Sequence, residues 1–194
     1  VLNSPLAYFP HLDADFKWVI DPIDGTSSFI IGKPVFTTLI SLTYKNKPIL
    51  GLINQPINNE RWLGIEGRKT IFNDSEVSVR ESGSVENSVL CTTSPVFFKD
   101  KDLKIFNKIT AKTLYQEYGG VFYGGDSYLF GLMASGLIDI IIDTGLKNYD
   151  YCALIPIING AGGIITDWQG KEVDINSSGQ ILACGDKKVH DQLL

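Results

Sequence analysis

The segment Phe16-Lys17-Trp18-Val19-Ile20-Asp21-Pro22-Ile23-Asp24-Gly25-Thr26 constrains this chain more than any other. Phe16 to Ile20 reads as a buried β-strand, rich in aromatic and β-branched residues. Pro22 has no backbone N–H and a fixed φ, so a central strand has to break there. Asp21 and Asp24 stand three residues apart across that break. The carbonyl of Ile23 is expected to be free of the ladder and open to a hard cation. Gly25 permits a tight turn, and the N–H groups after it can then face an anion. Two acids, a released carbonyl and an amide-lined turn are the parts of a site for Mg²⁺ and phosphate. The same D-P-x-D-G pattern also suits an ordinary turn, in which Asp and Gly serve conformation alone.

A second segment tips the choice toward a metal. Tyr149-Asp150 precedes an apolar helical run that ends in Gly160-Ala161-Gly162-Gly163. Asp150 by itself would be read as a helix cap. Paired with the first segment, it becomes a candidate third ligand.

Composition narrows the partners. A chain of 194 residues, 44% hydrophobic and 20% charged, is globular and can bury one core shared by one or two parts. No apolar run reaches membrane-spanning length and no charged-then-apolar leader opens the sequence, so a soluble cytoplasmic protein is expected. A net charge of -5 without any basic cluster argues against nucleic acid and anionic membrane. An acidic protein that binds phosphate esters needs a cation between the two negative partners. Cys91, Cys152 and Cys184 suit reduced thiols and lack zinc-ligand spacing. His11 and His190 lie near the ends and read as surface residues, which leaves Ser-His-Asp and Cys-His chemistry unsupported.

W-V-I-D-P-I-D-G-T resembles the first signature of the inositol monophosphatase family, Mg²⁺-dependent and Li⁺-sensitive phosphatases. Y-D-x-x-A-L-I-P-I-I-x-G-A-G-G resembles its second. The resemblance runs from Asp15 to Gly185. Gly124-Gly125-Asp126-Ser127-Tyr128, with Leu146-Lys147-x-Tyr149-Asp150 and Ala153 to Ile158, is most similar to the histidinol-phosphatase branch. It implies an α+β or α/β layered sandwich of alternating helix and sheet layers. The implied reaction is hydrolysis of L-histidinol phosphate to L-histidinol, a step of histidine biosynthesis. The implied assembly is a homodimer. An inositol monophosphatase or a broad sugar-phosphate phosphatase is the second reading. A binding or regulatory relative without catalysis is the third.

The resemblance also implies roles. Asp21 would bridge two Mg²⁺ ions, with the Ile23 carbonyl on the first and Asp24 and Asp150 on the second. Thr26 would hold the attacking water, acting with Asp24 as the catalytic pair. The amides of Gly25 and Thr26 would hold phosphate oxygens. Asp143, seven residues before Asp150, and Asp126 would meet the organic part of the substrate. Lys147 reads as a solvated loop charge. Asn159 stands where this branch usually has Glu, which points to altered specificity if that acid meets the imidazole or amine. The family's Gly-Glu-Glu loop supplies a further metal ligand, but the comparable stretch here is Asn3 to Tyr8, and no Glu precedes Glu60. Family members carry N-terminal helices ahead of that loop. The expectation is a sequence incomplete at its start, since both later signatures are intact; the alternative is a degenerate first ion site.

Periodicity and turn residues place the remaining elements. A short helix is expected over Ser27 to Ile31, then strands over Val35 to Tyr44, Ile49 to Asn54, Arg61 to Glu66 and Lys69 to Phe72. Lys45-Asn46 makes the first hairpin. This meander needs a helical cover, without which its apolar face is exposed. The polar stretch Ser78 to Asn87 divides an antiparallel-sheet part, residues 1–87 with the first signature, from an α/β part, residues 88–194 with the second. Strands are expected at Val89 to Thr93, Val121 to Tyr123, Leu137 to Asp143, Ile164 to Thr166 and Ile181 to Cys184. Helices are expected over Asp102 to Leu114, from an Asp126 cap to Ser135, from Asp150 with a kink at Pro156, and over Asp186 to Leu194.

Overall fold

The computed structural model describes residues 14–113 and 120–194. Asn3 to Tyr8, His11 and Leu114 lie outside the described residues. The first half forms a six-stranded antiparallel meander: β1 (Phe16–Asp24), β2 (Thr37–Tyr44), β3 (Lys47–Gln55), β4 (Glu60–Ile65), β5 (Ile71–Phe72) and β6 (Ser75–Glu76), adjacent in that order. A five-residue helix, α1 (Thr26–Ile30), follows β1. Residues 77–88 have no regular structure. The second half builds a mixed five-stranded sheet in the order β10-β11-β9-β7-β8. Its strands are β7 (Val89–Thr92), β8 (Gly120–Tyr123), β9 (Ile140–Asp143), β10 (Ile164–Thr166) and β11 (Ile181–Cys184). Only the β7–β8 and β7–β9 pairings are parallel. Helices α2 (Asp100–Thr110), α3 (Tyr128–Ala134), α4 (Asn148–Tyr151), α5 (Leu154–Gly160) and α6 (Lys187–Leu193) complete the α+β layers.

The first hairpin explains the register of the meander. Lys45 and Asn46 both have positive φ, at 47° and 70°, as a two-residue turn with the hand of the strand twist requires. Burial along β2 then alternates strictly, so one face carries Leu39 and Ser41 inward and the other Ile40 and Leu42 outward.

The inward face packs on α5. Two glycines allow this close layering. A Cβ on Gly51 would sit 1.9 Å from the Ala153 carbonyl, and one on Gly64 would sit 2.4 Å from the Ile157 nitrogen. The helix backbone therefore lies directly on β3 and β4. Gly131 of α3 does the same against the Trp62 indole. Trp62 is fully buried, and its Nε1 donates to Ser135 Oγ at 2.9 Å.

Several expectations change. The first segment is not buried: Phe16, Trp18 and Ile20 are 57%, 62% and 44% exposed. They lie on the outer face of the sheet, where Trp18 pairs with Leu42 and Leu42 with Leu50. β1 is the edge strand, so Pro22 does not end it; the strand runs on to Asp24 through an irregularity. The second-signature helix begins at Asn148 rather than Asp150 and is split at Cys152-Ala153, where Pro156 leaves the Cys152 carbonyl without its helical donor. Asp126 is not a helix cap: its φ is 47° and Ser127 occupies that position. No helix of the described residues is long and apolar enough to cross a membrane.

His190 is also not a surface residue; it is 4% exposed. Its Nε2 lies 2.8 Å from Thr166 Oγ1, which itself donates to the Asp167 carbonyl. Nε2–H is thus the donor, and the buried Nδ1 has no hydrogen-bond partner. Burial lowers the His190 pKa below 6.5, against the partial pull of Asp191 at 3.7 Å.

Two outcomes follow from this packing. Gly51→Ala should cost roughly 1–3 kcal/mol in urea unfolding, because backbone rather than a flexible side chain must yield. An unchanged midpoint would contradict the close layering. His190 is held neutral by the fold, so its contribution is complete above pH 6.5 and is lost as pH falls through the lowered folded value. The difference in unfolding free energy between wild type and His190→Gln should shift in that direction on acidification; a pH-independent difference would show that the imidazole is already solvated.

Candidate metal centre

In a regular strand, residues three apart point to opposite faces. Asp21 and Asp24 escape that rule through the register of β1 on β2. Asp21 pairs with Leu39 and Asp24 with Thr37, so three steps on β1 match two on β2. This one-residue bulge at Pro22-Ile23 restores the parity and turns both carboxylates toward the inner face. Pro22 fits because its missing N–H costs nothing at an edge. Its carbonyl is taken by Thr38 Oγ1 at 2.9 Å.

Asp150 arrives from the other half of the chain on α4, which packs on β1 and β2. One oxygen from each of Asp21, Asp24 and Asp150 lies within 4.8 Å of the others. Each carboxylate is oriented by a backbone donor. Ile23 N donates to Asp21 Oδ1 at 3.1 Å, Ser127 N to Asp24 Oδ2 at 2.8 Å, and Lys147 N to Asp150 Oδ2 at 2.7 Å. Thr37 Oγ1 adds a bond to Asp24 at 3.3 Å.

The electrostatics fit a cation. Burial pushes Asp24 up to about 8, and the negative charges of Asp126, Asp150 and Asp21 add to it against the Ser127 amide. Burial and the neighbouring Asp21 charge raise Asp150 to about 7. Burial raises Asp21 as well, while its hydrogen bond with Asp150 works the other way. Three clustered hard oxygen donors, each disfavoured as a bare anion chiefly by burial, are a donor set for a hard divalent ion.

The carboxylates line a cavity of about 430 Å³ together with Gly25, Thr26, Thr93 and Asp126. Thr26 Oγ1 donates to the Ile23 carbonyl at 3.0 Å, which leaves its lone pairs to accept from a ligand and one lone pair on that carbonyl. Gly25 has φ +76°, and a Cβ there would sit 2.8 Å from Asp126 Oδ2. The Asp126 carboxylate is drawn in by Ser28 Oγ at 3.3 Å, and its pKa is raised by burial. Asp143 is fully buried: Thr92 Oγ1, Thr93 N and Thr93 Oγ1 bind it at 2.7, 2.9 and 3.0 Å. Burial raises it to about 6.

Every residue singled out for metal, phosphate or substrate therefore lines one cavity, Asp143 included. Asn159 does not. It is exposed on α5 beside a second cavity and does not line the carboxylate site. Ser127 and Thr93 went unnoticed in the sequence. Thr93 and Asp143 stand at the carboxyl ends of the parallel strands β7 and β9, a common place for ligand sites. Ser127 carries no such signal, since it acts through its backbone.

The inositol monophosphatase family model matches residues 9–194. The chain is 47% identical over 188 residues to the bifunctional phosphatase IMPL2, chloroplastic, of Arabidopsis thaliana, covering 93% of this chain and 53% of that protein. It is 34% identical over 169 residues to the histidinol-phosphatase of Chlorobaculum parvum, covering 86% and 63%. It therefore spans between half and two thirds of these relatives. An inositol monophosphatase structure from Zymomonas mobilis superposes with a TM-score of 0.89 at 41% identity, over 93% of this chain and 70% of that one. With the same fold and a match over nearly all of its length, the chain belongs to the inositol monophosphatase family.

Proposed function

We propose that this chain is the metal-binding core of a Mg²⁺-dependent, Li⁺-inhibited phosphomonoesterase, acting on L-histidinol phosphate. The observation that carries the reading is the convergence of Asp21, Asp24 and Asp150 within 4.8 Å in a cavity that two further acids border. Asp21, Asp24, Asp150 and the Ile23 carbonyl would hold the cation. It would supply water of lowered pKa and neutralise charge on the phosphoryl group. The protein's own part is positional. Thr26 Oγ1, with its proton committed to the Ile23 carbonyl, accepts from the attacking water. The Gly25 and Thr26 amides donate to phosphate oxygens.

The organic end of the substrate is read from charge. Asp126, packed against Gly25, and Asp143 bring two further carboxylates to the lining of the same cavity. A cationic amino alcohol gains charge-assisted bonds there, whereas a neutral polyol gains only neutral ones. The identity to a histidinol-phosphatase supports the same choice.

Three outcomes test the proposal. In protein that releases phosphate, Asp21→Asn should lower Mg²⁺-dependent turnover more than about a hundredfold, beyond the usual cost of losing an outer-shell partner of a metal. Retained turnover would remove Asp21 from the site. Mg²⁺ binding at pH 7 should release protons, read as a heat that varies with buffer ionisation enthalpy, because Asp24 and Asp150 hold protons at about 8 and 7. The release should shrink as pH passes the Asp24 value; its absence at pH 7 would contradict the carboxylate ligands. L-Histidinol phosphate should exceed inositol 1-phosphate in kcat/KM, with the gap narrowed by Asp126→Asn. A preference for the polyol would overturn the choice of substrate.

A further inference from the structure

A second cavity, of about 810 Å³, lies between the two sheets, lined by α5 rather than by the metal-ligand carboxylates. Its size falls within the roughly 300–1,000 Å³ of small-molecule sites. Its floor is aliphatic: Ile155 and Pro156 of α5, Ile165 of β10, and Val173 are all buried. It is held open by fixed links between the two halves. Ile175 N donates to the Asn46 carbonyl at 3.1 Å, while Thr70 N and Oγ1 bond the Gly160 and Ile157 carbonyls at 3.2 and 2.6 Å.

The rim decides what such a floor could bind. Six charged side chains border the cavity: Lys47, Glu66, Arg68, Lys69, Glu172 and Asp174. Two of the cations are taken, Lys47 by Glu172 at 3.5 Å and Lys69 by Glu76 at 2.8 Å. The Arg68 guanidinium and the Glu66 carboxylate have no side-chain partner among the described residues. Asp174 spends one oxygen on Asn176 N at 2.8 Å and keeps the other. The uncommitted charges are thus one fork-shaped cation and two carboxylates above an aliphatic floor.

We propose that this cavity binds a free α-amino acid with an apolar side chain. Its carboxylate would be taken by Arg68, its ammonium by Glu66 or Asp174, and its side chain by Ile155, Pro156, Ile165 and Val173. A simple anion would face two uncompensated acids, and a simple cation would leave Arg68 unanswered. Pro156 lies on α5, six residues after Asp150, which α4 carries on the other side of the Cys152-Ala153 split.

The test is amide chemical-shift mapping of the labelled protein with L-leucine, isopentylamine and 4-methylpentanoate, which share one side chain and differ in charge. L-Leucine should shift the amides of Ile65 to Lys69 and of Ile164 to Val173 in a saturable way. The two singly charged analogues should bind at least about tenfold more weakly, as should L-leucine to Arg68→Ala and Glu66→Gln, both exposed and remote from the metal ligands. Absence of those shifts at the highest soluble L-leucine concentration would overturn the proposal. So would equal binding of either analogue, or shifts confined to the Asp21 and Asp150 neighbourhood.

Discussion

Mutual repulsion among Asp21, Asp24 and Asp150 is the constraint around which the molecule is arranged. Crowded carboxylates in a half-buried wall are unfavourable: burial first, then the charges of Asp126, Asp150 and Asp21, lift Asp24 to about 8. The fold holds them with donors that cannot move away: the backbone N–H groups of Ile23, Ser127 and Lys147. Two of those donors sit in the second half of the chain. The Ser127 bond to Asp24 spans 103 residues, so the site exists only when both sheets are assembled. Burial and crowding raise Asp24 and Asp150 to about 8 and 7, and a bound divalent ion would compensate the charge of their ionised forms.

The layering that delivers Asp150 depends on small residues rather than acidic ones. Gly51 and Gly64 let α5 lie on β3 and β4 with backbone against backbone. The split at Cys152-Ala153 turns α4 relative to α5, and α4 then packs on β1 and β2 beside the bulge. Arg80 adds a second tie, a bidentate pair with buried Asp139 at 2.7 Å that anchors the irregular 77–88 segment to the strand β9 sheet. That geometry is strong because a planar guanidinium matches both carboxylate oxygens.

Much of this was legible before any coordinates, and the reasons differ by residue. Asp21, Ile23, Asp24, Gly25 and Thr26 could be read locally, because Pro22 and Gly25 constrain the backbone whatever surrounds them. The bulge could not, since strand-breaking and strand-bulging by proline look alike until the neighbour's register is known. Asp150 could be joined to the first pair only by resemblance; no local pattern says that residues 126 positions apart will meet. His190 and Trp18 failed in opposite directions. Burial of a polar ring depended on Thr166 being across from it, and exposure of an aromatic one on its lying on the outer face of the sheet. Asn159 failed because the side of a helix facing a site is a tertiary fact. Asp143 was placed by resemblance, and it lines the cavity beside Thr93, whose amide and hydroxyl it accepts from.

The central claim is that the three carboxylates hold one divalent ion. Anomalous diffraction from crystals of this protein grown with Mn²⁺ tests it most directly. The account predicts a peak within ligand distance, about 2.0–2.6 Å, of oxygens from Asp21, Asp24 and Asp150 together. A peak bound elsewhere, with these carboxylates hydrogen-bonded only to one another and to Ser127 and Lys147, would contradict it.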